Sequence, residues 1–390
     1  MNVVVYVSDA LRTDHLGCYG TRYVNTKTID ELAASGVRYS HAISAAPWTA
    51  PSTTSIVTGM YAHHHGYLHW DAALDPAHET WFRAFSAHGY EVASFVFDTN
   101  YLFKDLPEAN VLGTSESLDA TFEWIRANRD TPFFLYVHNW ATHMPYEIDH
   151  ADRKNWLAAK QEVIAGIQSD SASALESMRE GYRAAVERQS EVLVASFLEE
   201  LETLGLREST VFAFLSDHGE SWGERFAAKE DVQGVYHMHG ATLHDEIVEV
   251  PLILSAPGHL EPAVVGSQVR SVDLMPTLLE LAGLPARETD GESLLNVDGD
   301  RPAIITGTDM GALTKLAVRM PPWKLILDVE SGEEEAYRLD VDPRELVSRT
   351  DAPPELREIV FRELESAERH ELTEEEEATV AKRLSDLGYL

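Results

Sequence analysis

An α/β fold built on a mostly parallel central sheet is what this sequence predicts, and three observations predict it. Short apolar runs such as Val3–Val7 and Phe133–His138 are continuous rather than alternating, as strands buried on both faces require. Helix-length stretches closed by glycine alternate with them, the pattern of helices laid on both faces of a parallel sheet. Chemistry-bearing residues, namely Asp9, His138–His143 and Asp217-His218, stand just past the ends of apolar runs. Open α/β sheets gather their ligands there.

The elements follow in order. Val3–Val7 opens as a strand, and a helix over about Thr28–Ser35 stops at Gly36, read as a left-handed C′ glycine. A Pro-started helix spans about Pro51–Thr58 and stops at Gly59; proline suits a first helical turn, where its missing N–H costs nothing. Ala77–His88 is a helix closed by Gly89, Glu91–Phe97 a strand, Leu118–Asn128 a helix and Phe133–His138 a strand. A long helical region covers about Arg153–Leu204, then Thr210–Ser216 and Val250–Leu254 are strands and Asp273–Ala282 is a helix stopped by Gly283. Past about residue 300, short strands at Ala303–Thr306, Leu316–Arg319, Lys324–Asp328 and Ala336–Leu339 predict a small antiparallel sheet. A charged helix from Pro353 ends the chain, with Glu374–Glu377 on a solvated face. The expected division is a catalytic unit over 1–300, a β subdomain over 301–345 and a helical tail over 346–390.

At 390 residues and 44% hydrophobic composition, the chain can bury a large core. Its formal net charge of −34 sets 65 acidic against 31 basic residues. Such a surface repels nucleic acid and anionic lipid, so neither is an expected partner. The charge is spread along the chain, and Arg far outnumbers Lys, which reads as adaptation to high salt, where screening relieves self-repulsion. A single cysteine, Cys18, excludes an internal disulfide and a multi-cysteine metal cage. With no secretory signal and no bilayer-length apolar run in the sequence, a cytoplasmic location is expected.

Thr49 is the candidate nucleophile. It precedes Ala50-Pro51-Ser52, and the free N–H groups of that first turn, with the helix dipole, favour a phosphate or sulfate beside its hydroxyl. The plain alternative is an N-cap. Asp9, Asp217 and His218 offer two carboxylates and an imidazole at strand ends. That set suits one divalent cation, Zn²⁺ or Mn²⁺ best, with Mg²⁺ and Ca²⁺ allowed, and the Thr49 oxygen would complete four ligands. His143 and His239 are candidates to hold non-bridging oxygens or to protonate a leaving oxygen. His15, His41, His69, His78, His88, His150, His259 and His370 are read as solvent-exposed, and His63-His64-His65 as a turn rather than a metal tract.

The order of these motifs resembles the sulfatase branch of the alkaline phosphatase superfamily. The opening Val5-Tyr6-Val7-Ser8-Asp9-Ala10-Leu11-Arg12-Thr13-Asp14-His15-Leu16-Gly17 is similar to that family's first signature. Trp48 to Gly59 resembles its nucleophile motif, His143-Met144-Pro145-Tyr146 its substrate-histidine motif and Ser216-Asp217-His218-Gly219-Glu220 its metal motif. His239 to Glu246, Trp323-Lys324-Leu325-Ile326 and Tyr337 to Pro343 extend the likeness over nearly the whole chain.

Four departures shape the expectation. The resemblance implies a Cys or Ser, oxidised to formylglycine, where this chain has Thr49, whose extra methyl prevents oxidation to an aldehyde. It implies an arginine where Thr53 stands, a second aspartate where Ala10 stands, and a lysine motif where the chain reads Phe95-Val96-Phe97-Asp98-Thr99-Asn100. In these respects the site resembles the threonine-dependent phosphodiesterases and phosphonate hydrolases of the superfamily. The expected function is therefore metal-dependent cleavage of a small-molecule phosphodiester or phosphonate ester through Thr49. The alternatives are a sulfuric ester hydrolase and a catalytically silent binding module.

Overall fold

The computed structural model describes residues 1–69, 72–98, 102–115, 117–146, 158, 171–222, 239–240, 242–309 and 311–367. Eight strands form one sheet in the order β4-β3-β5-β1-β6-β7-β2-β8. They are β1 (Asn2–Ser8), β2 (Val37–Ile43), β3 (Glu91–Val96), β4 (Val111–Thr114), β5 (Phe133–Asn139), β6 (Thr210–Leu215), β7 (Glu249–Ser255) and β8 (Ala263–Arg270). Only β7 runs against its neighbours, pairing antiparallel with both β6 and β2. A second sheet, β12-β11-β10-β9, is antiparallel and comprises β9 (Ala303–Asp309), β10 (Ala312–Met320), β11 (Trp323–Asp328) and β12 (Glu334–Arg338). The predicted α/β class holds, with a mixed, mostly parallel sheet and a small antiparallel one.

Apolar runs make the central strands because each face of the sheet has its own core. Val3, Val5 and Val7 pack with Phe134, Tyr136, Val211 and Ala213 on one face. Val4 and Tyr6 pack with Phe133, Leu135, Phe212 and Phe214 on the other. Side chains alternate across a strand, so a run apolar at every position can only sit between two cores. The first face is closed by helix α2 (Thr49–Thr58) and by the helix Trp81–Ser86, whose Trp81, Phe82 and Phe85 are buried against Phe134. The second is closed by helix α1 (Lys27–Ala34) and by the helices Ser171–Arg188 and Ala195–Thr203.

The described part of the predicted 153–204 helical region is interrupted by a π-helical segment, Gln189–Val194. That segment completes two neighbours. Gln189 Nε2 donates to the Tyr6 hydroxyl at 3.0 Å. Ser190 Oγ and Glu191 Oε1 accept the Ile29 and Thr28 N–H groups at 3.2 and 2.9 Å. Those are first-turn donors of α1, whose own N-cap Thr26 makes no side-chain bond to them.

Several expectations change in detail. Gly36 does not have positive φ; a Cβ there would meet the Leu254 carbonyl oxygen at 2.5 Å, so close approach of β7 is what demands glycine. The helix expected from Ala77 begins only at Trp81, with Thr80 as its cap. His15 and His69 are buried rather than exposed, His15 between the rings of Tyr182 and Trp222. His63–His65 lie in a short helix, Ala62–His65, rather than in a turn. Expectations for 153–157, 159–170, His150, His370 and Glu374–Glu377 fall outside the described residues. Among the described residues, no helix is long and apolar enough to cross a membrane.

The two sheets are joined by buried charges. Lys324 on β11 is fully buried, with Nζ 2.8 Å from Asp245 Oδ1 and 2.9 Å from Glu345 Oε1. Arg319 on β10 reaches Asp245 at 2.9 Å and Glu249 at 3.3 Å. Burial alone would raise the Asp245 carboxyl, but Lys324 and Arg319 outweigh it and hold it well below the carboxylate range. Removing Lys324 takes a cation from both buried carboxylates and leaves Asp245 to Arg319, which costs more than the pair is worth. Lys324→Met should therefore destabilise the fold by about 3–5 kcal/mol, read as a lower denaturant midpoint at unchanged slope. A loss below about 1 kcal/mol would mean that water already reaches these groups.

Candidate active site

Strand register builds the site. β1 lies between β5 and β6, with Ser8 opposite Asn139 and Val7 opposite both His138 and Leu215. Asp9, His138 and Asp217 therefore emerge at the carboxyl edge of three adjacent central strands. Two devices re-aim the chain there. Ala10 takes φ 57°, a left-handed turn that brings its N–H to Asp217 Oδ1 at 3.3 Å. Gly219 is forced by contact: a Cβ there would lie 2.2 Å from the Glu246 carbonyl oxygen.

Helix α2 delivers Thr49 to the same point. Its Ser52 hydroxyl donates to the Asp217 carbonyl at 2.6 Å, and the Ser44 hydroxyl approaches that oxygen at 2.5 Å. The helix begins at Thr49 itself, with Trp48 in the cap position, so the N-cap reading of Thr49 fails. Its hydroxyl lies 3.3 Å from Asp9 Oδ2 and 3.2 Å from His218 Nε2. Thr49 is 3% exposed, and Asp9, Asp217 and His218 are completely buried.

The hydrogen bonds define the imidazole states. His218 Nδ1 donates to the Gly219 carbonyl at 2.8 Å, so Nε2 is the nitrogen that faces the carboxylates, 3.7 Å from Asp9 Oδ1 and 3.5 Å from Asp217 Oδ2. His138 has the opposite arrangement: the Tyr136 hydroxyl donates to Nδ1 at 3.0 Å, and Nε2–H donates to Asp9 Oδ2 at 2.9 Å. Burial lowers the His138 pKa to about 4, so this ring is neutral. Trp140 Nε1 donates to the same Asp9 oxygen at 2.7 Å. His138 and Trp140 thus hold Asp9 by one oxygen and leave the other for the site.

That oxygen is where a cation fits. Asp9 Oδ1 and Asp217 Oδ2 are buried and have no hydrogen-bond partner. Burial pushes the Asp9 carboxyl up to about 6; it raises Asp217 as well, and the neighbouring Asp9 charge adds to that. Two desolvated carboxylates so placed need positive charge between them. Asp9, Asp217 and His218 present one ligand atom each, all within 4.8 Å of one another. The donor set fits a divalent cation of intermediate hardness.

The remaining candidates border this cluster. The His143 ring stacks on Trp140 at 4.4 Å, and its Nδ1 donates to the Met144 carbonyl at 2.6 Å. The His239 ring is 4.4 Å from that of His218 and 5.3 Å from that of His143. Its Nδ1 meets Glu220 Oε1, a fully buried carboxylate, at 2.9 Å. All six sequence-predicted site residues therefore gather in one place. Sequence reasoning placed His138, Trp140 and Glu220 inside its motifs but assigned them no role; the structure shows them bonded to Asp9 and His239. A histidine within an otherwise apolar buried strand was the available signal for the first.

A doubly covered α/β sheet thus carries a threonine hydroxyl, carboxylates and imidazoles at its carboxyl edge, and the comparisons with known proteins give its class, an ester hydrolase of the sulfatase and alkaline phosphatase superfamily. The sulfatase family model matches residues 1–284, and the chain belongs to that family. The uncharacterized sulfatase YidJ of Escherichia coli is 25% identical over 375 residues, covering 78% of this chain and 72% of the relative. Among solved structures, BT4656 in complex with its substrate D-glucosamine-2-N,6-O-disulfate superposes with TM-score 0.73 at 16% identity, covering 94% of this chain and 97% of that one. The phosphonate monoester hydrolase of Agrobacterium radiobacter gives TM-score 0.66 at 18% identity, covering 100% and 96%.

Proposed function

We propose that the protein cleaves sulfuric esters of small molecules, sulfated sugars being the class to test first, with Thr49 as nucleophile beside one divalent cation. Family membership supports the ester class, and the sulfated substrate class is taken from the relatives' chemistry. One observation carries the mechanism: the Thr49 hydroxyl stands 3.2–3.3 Å from both His218 Nε2 and Asp9 Oδ2, at the start of a helix. Asp9, Asp217 and His218 would hold the cation, with Thr49 beside them. When bound, it would neutralise ester oxygens and favour the ionised hydroxyl.

The chain's own groups supply the other steps. Thr49 Oγ1 attacks sulfur as its proton moves toward Asp9 Oδ2, and the bond from sulfur to the leaving oxygen breaks. His239, its Nδ1 held by Glu220, protonates that oxygen, while His143 steadies the charge on the non-bridging oxygens. Water, giving a proton to His239, then attacks sulfur; the bond from sulfur to Thr49 Oγ1 breaks, that oxygen takes back its proton from Asp9, and sulfate leaves. A second reading, phosphodiester or phosphonate-ester cleavage by the same steps at phosphorus, rests on Thr49 and Thr53. Threonine cannot become formylglycine, and no guanidinium occupies the Thr53 position, which is a buried hydroxyl.

The deciding experiment offers aryl sulfate, sugar sulfates, aryl phosphate, a phosphodiester and a phosphonate ester to the enzyme loaded in turn with Zn²⁺, Mn²⁺, Mg²⁺ or Ca²⁺. Fastest turnover of a sulfate supports the first reading; fastest turnover of a phosphodiester or phosphonate supports the second. Turnover of none would favour the silent binding module. On whichever substrate leads, His143→Ala should cost on the order of 10²–10⁴ in kcat. Glu220→Gln should cost less and should move the alkaline limb of the pH–rate profile to lower pH, because it weakens the hold on protonated His239. An unchanged profile would remove Glu220 from the mechanism.

A further inference from the structure

The histidine tract beyond α2 makes a second constellation of metal-ligand type. α2 runs about 15 Å from Thr49 to Thr58, at 1.5 Å per residue, so the tract follows the end of the helix remote from the nucleophile. His63 Nε2 lies 3.4 Å from Glu363 Oε2, and His64 Nε2 lies 3.6 Å from the same oxygen. Glu363 comes from the helix Pro354–Ser366, some 300 residues away in sequence. The three ligand atoms all lie within 4.8 Å of one another.

Three features distinguish this cluster from an ordinary histidine–glutamate contact. The separations are long for hydrogen bonds, which favour about 2.7–3.2 Å. They match instead the edge of a tetrahedron around zinc, about 3.3–3.4 Å for metal–ligand distances of about 2.0–2.1 Å. Each ring is also held at its other nitrogen. His63 Nδ1 meets Thr306 Oγ1 at 2.9 Å, and His64 Nδ1 meets Asp290 Oδ2 at 2.8 Å. A carboxylate or hydroxyl on Nδ1 directs the Nε2 lone pair outward and makes it a better donor to metal. Finally, the rings stand 4.2 Å apart, and burial lowers the basicity of His63, which opposes two adjacent imidazolium ions.

We propose that His63, His64 and Glu363 form a structural site for a zinc-like divalent cation, separate from the Asp9–Asp217–His218 cluster. Two imidazole nitrogens and one carboxylate suit Zn²⁺, Co²⁺ or Ni²⁺ rather than Mg²⁺ or Ca²⁺. The fourth position falls to water or to Ser366, whose Oγ is 3.0 Å from His64 Nε2. The His64 side chain is 23% exposed and that of Glu363 14%, so an ion can enter from solvent. Bound there, it ties the helix Pro354–Ser366 to the end of the nucleophile helix and to β9, which carries Thr306.

The test is metal stoichiometry on the full chain, measured by elemental analysis after dialysis against Zn²⁺ and removal of free ion. Glu363→Gln and His64→Ala should each hold one equivalent less than wild type. Both variants alter partly exposed side chains, and circular dichroism checks that they fold. Asp217→Asn, which disables the other cluster, should still take up Co²⁺ with the visible absorption of a tetrahedral site. The Asp217→Asn/Glu363→Gln pair should not. Equal metal content in wild type and both single variants would overturn the proposal, and so would the absence of a tetrahedral Co²⁺ spectrum in Asp217→Asn. The comparison of wild type with Glu363→Gln reads this site alone, whatever the catalytic cluster binds.

Discussion

Thr49→Ala should abolish turnover, by on the order of 10⁴–10⁶ in kcat, while leaving the fold and the divalent cation in place. The size follows from the role proposed for what is removed, that of the attacking oxygen. The selectivity follows from where Thr49 sits. It occupies the first helical position, where alanine keeps the helix, and its hydroxyl bonds are the long ones to Asp9 and His218. Asp9, Asp217 and His218 remain, so cation affinity should fall far less than turnover. Thr49→Ser keeps the hydroxyl and should retain measurable turnover. Activity, calorimetric cation binding and circular dichroism on the same preparations separate these effects. A Thr49→Ala enzyme working near the wild-type rate would make water the direct nucleophile and Thr49 a lining residue. Lost activity together with lost cation would make Thr49 mainly a ligand.

The fold was legible wherever one physical signal dominated. β1, β5 and β6 read clearly because strands between two cores are apolar at every position. β2 carried no such signal: Arg38, Ser40 and His41 are not buried, and the register shifts between Tyr39 and Ala42 break the alternation. β4 is only four residues long, with Leu112 and Thr114 exposed. The π-helical segment at Gln189 depends on a tertiary demand, the two unsatisfied N–H groups of α1, which local sequence cannot express. That Asp9, Thr49, Asp217 and His218 would lie together was legible because motif order supplied what single residues lack. The roles of His138, Trp140 and Glu220 were not, since they exist only once register brings β5 beside Asp9 and the chain after β6 beside His239. The acidic surface spoke to habitat, and high-salt adaptation stays a proposal resting on the charge of −34, its spread along the chain and the excess of Arg over Lys.

Asp217→Asn is expected to do two opposite things, abolish activity and raise the stability of the cation-free protein. The activity loss follows from removing one of two anionic ligands, which weakens cation binding and leaves the nucleophile without its counter-charge. The stability gain follows from the geometry of the orphaned oxygen. Asp217 Oδ1 accepts the N–H groups of His218 and Ala10, and asparagine keeps that acceptor. Oδ2 has no hydrogen-bond partner, and 3.5 Å away lies His218 Nε2, which a neutral amide can approach without burying a charge. The substitution thus replaces a desolvated charge, raised in pKa by burial and by Asp9, with a neutral group. A gain of about 0.5–2 kcal/mol without cation is the scale expected when a functional site is relieved of its strain. With cation present the order should reverse, because ligand at 100 times its Kd adds about 2.7 kcal/mol to a protein that binds it. Melting both proteins with chelator and with saturating Zn²⁺ or Mn²⁺ reads the crossing directly. If Asp217→Asn melts below wild type in chelator, the two carboxylates are not a cost that the fold carries for the sake of a cation, and the candidate metal centre loses its physical basis.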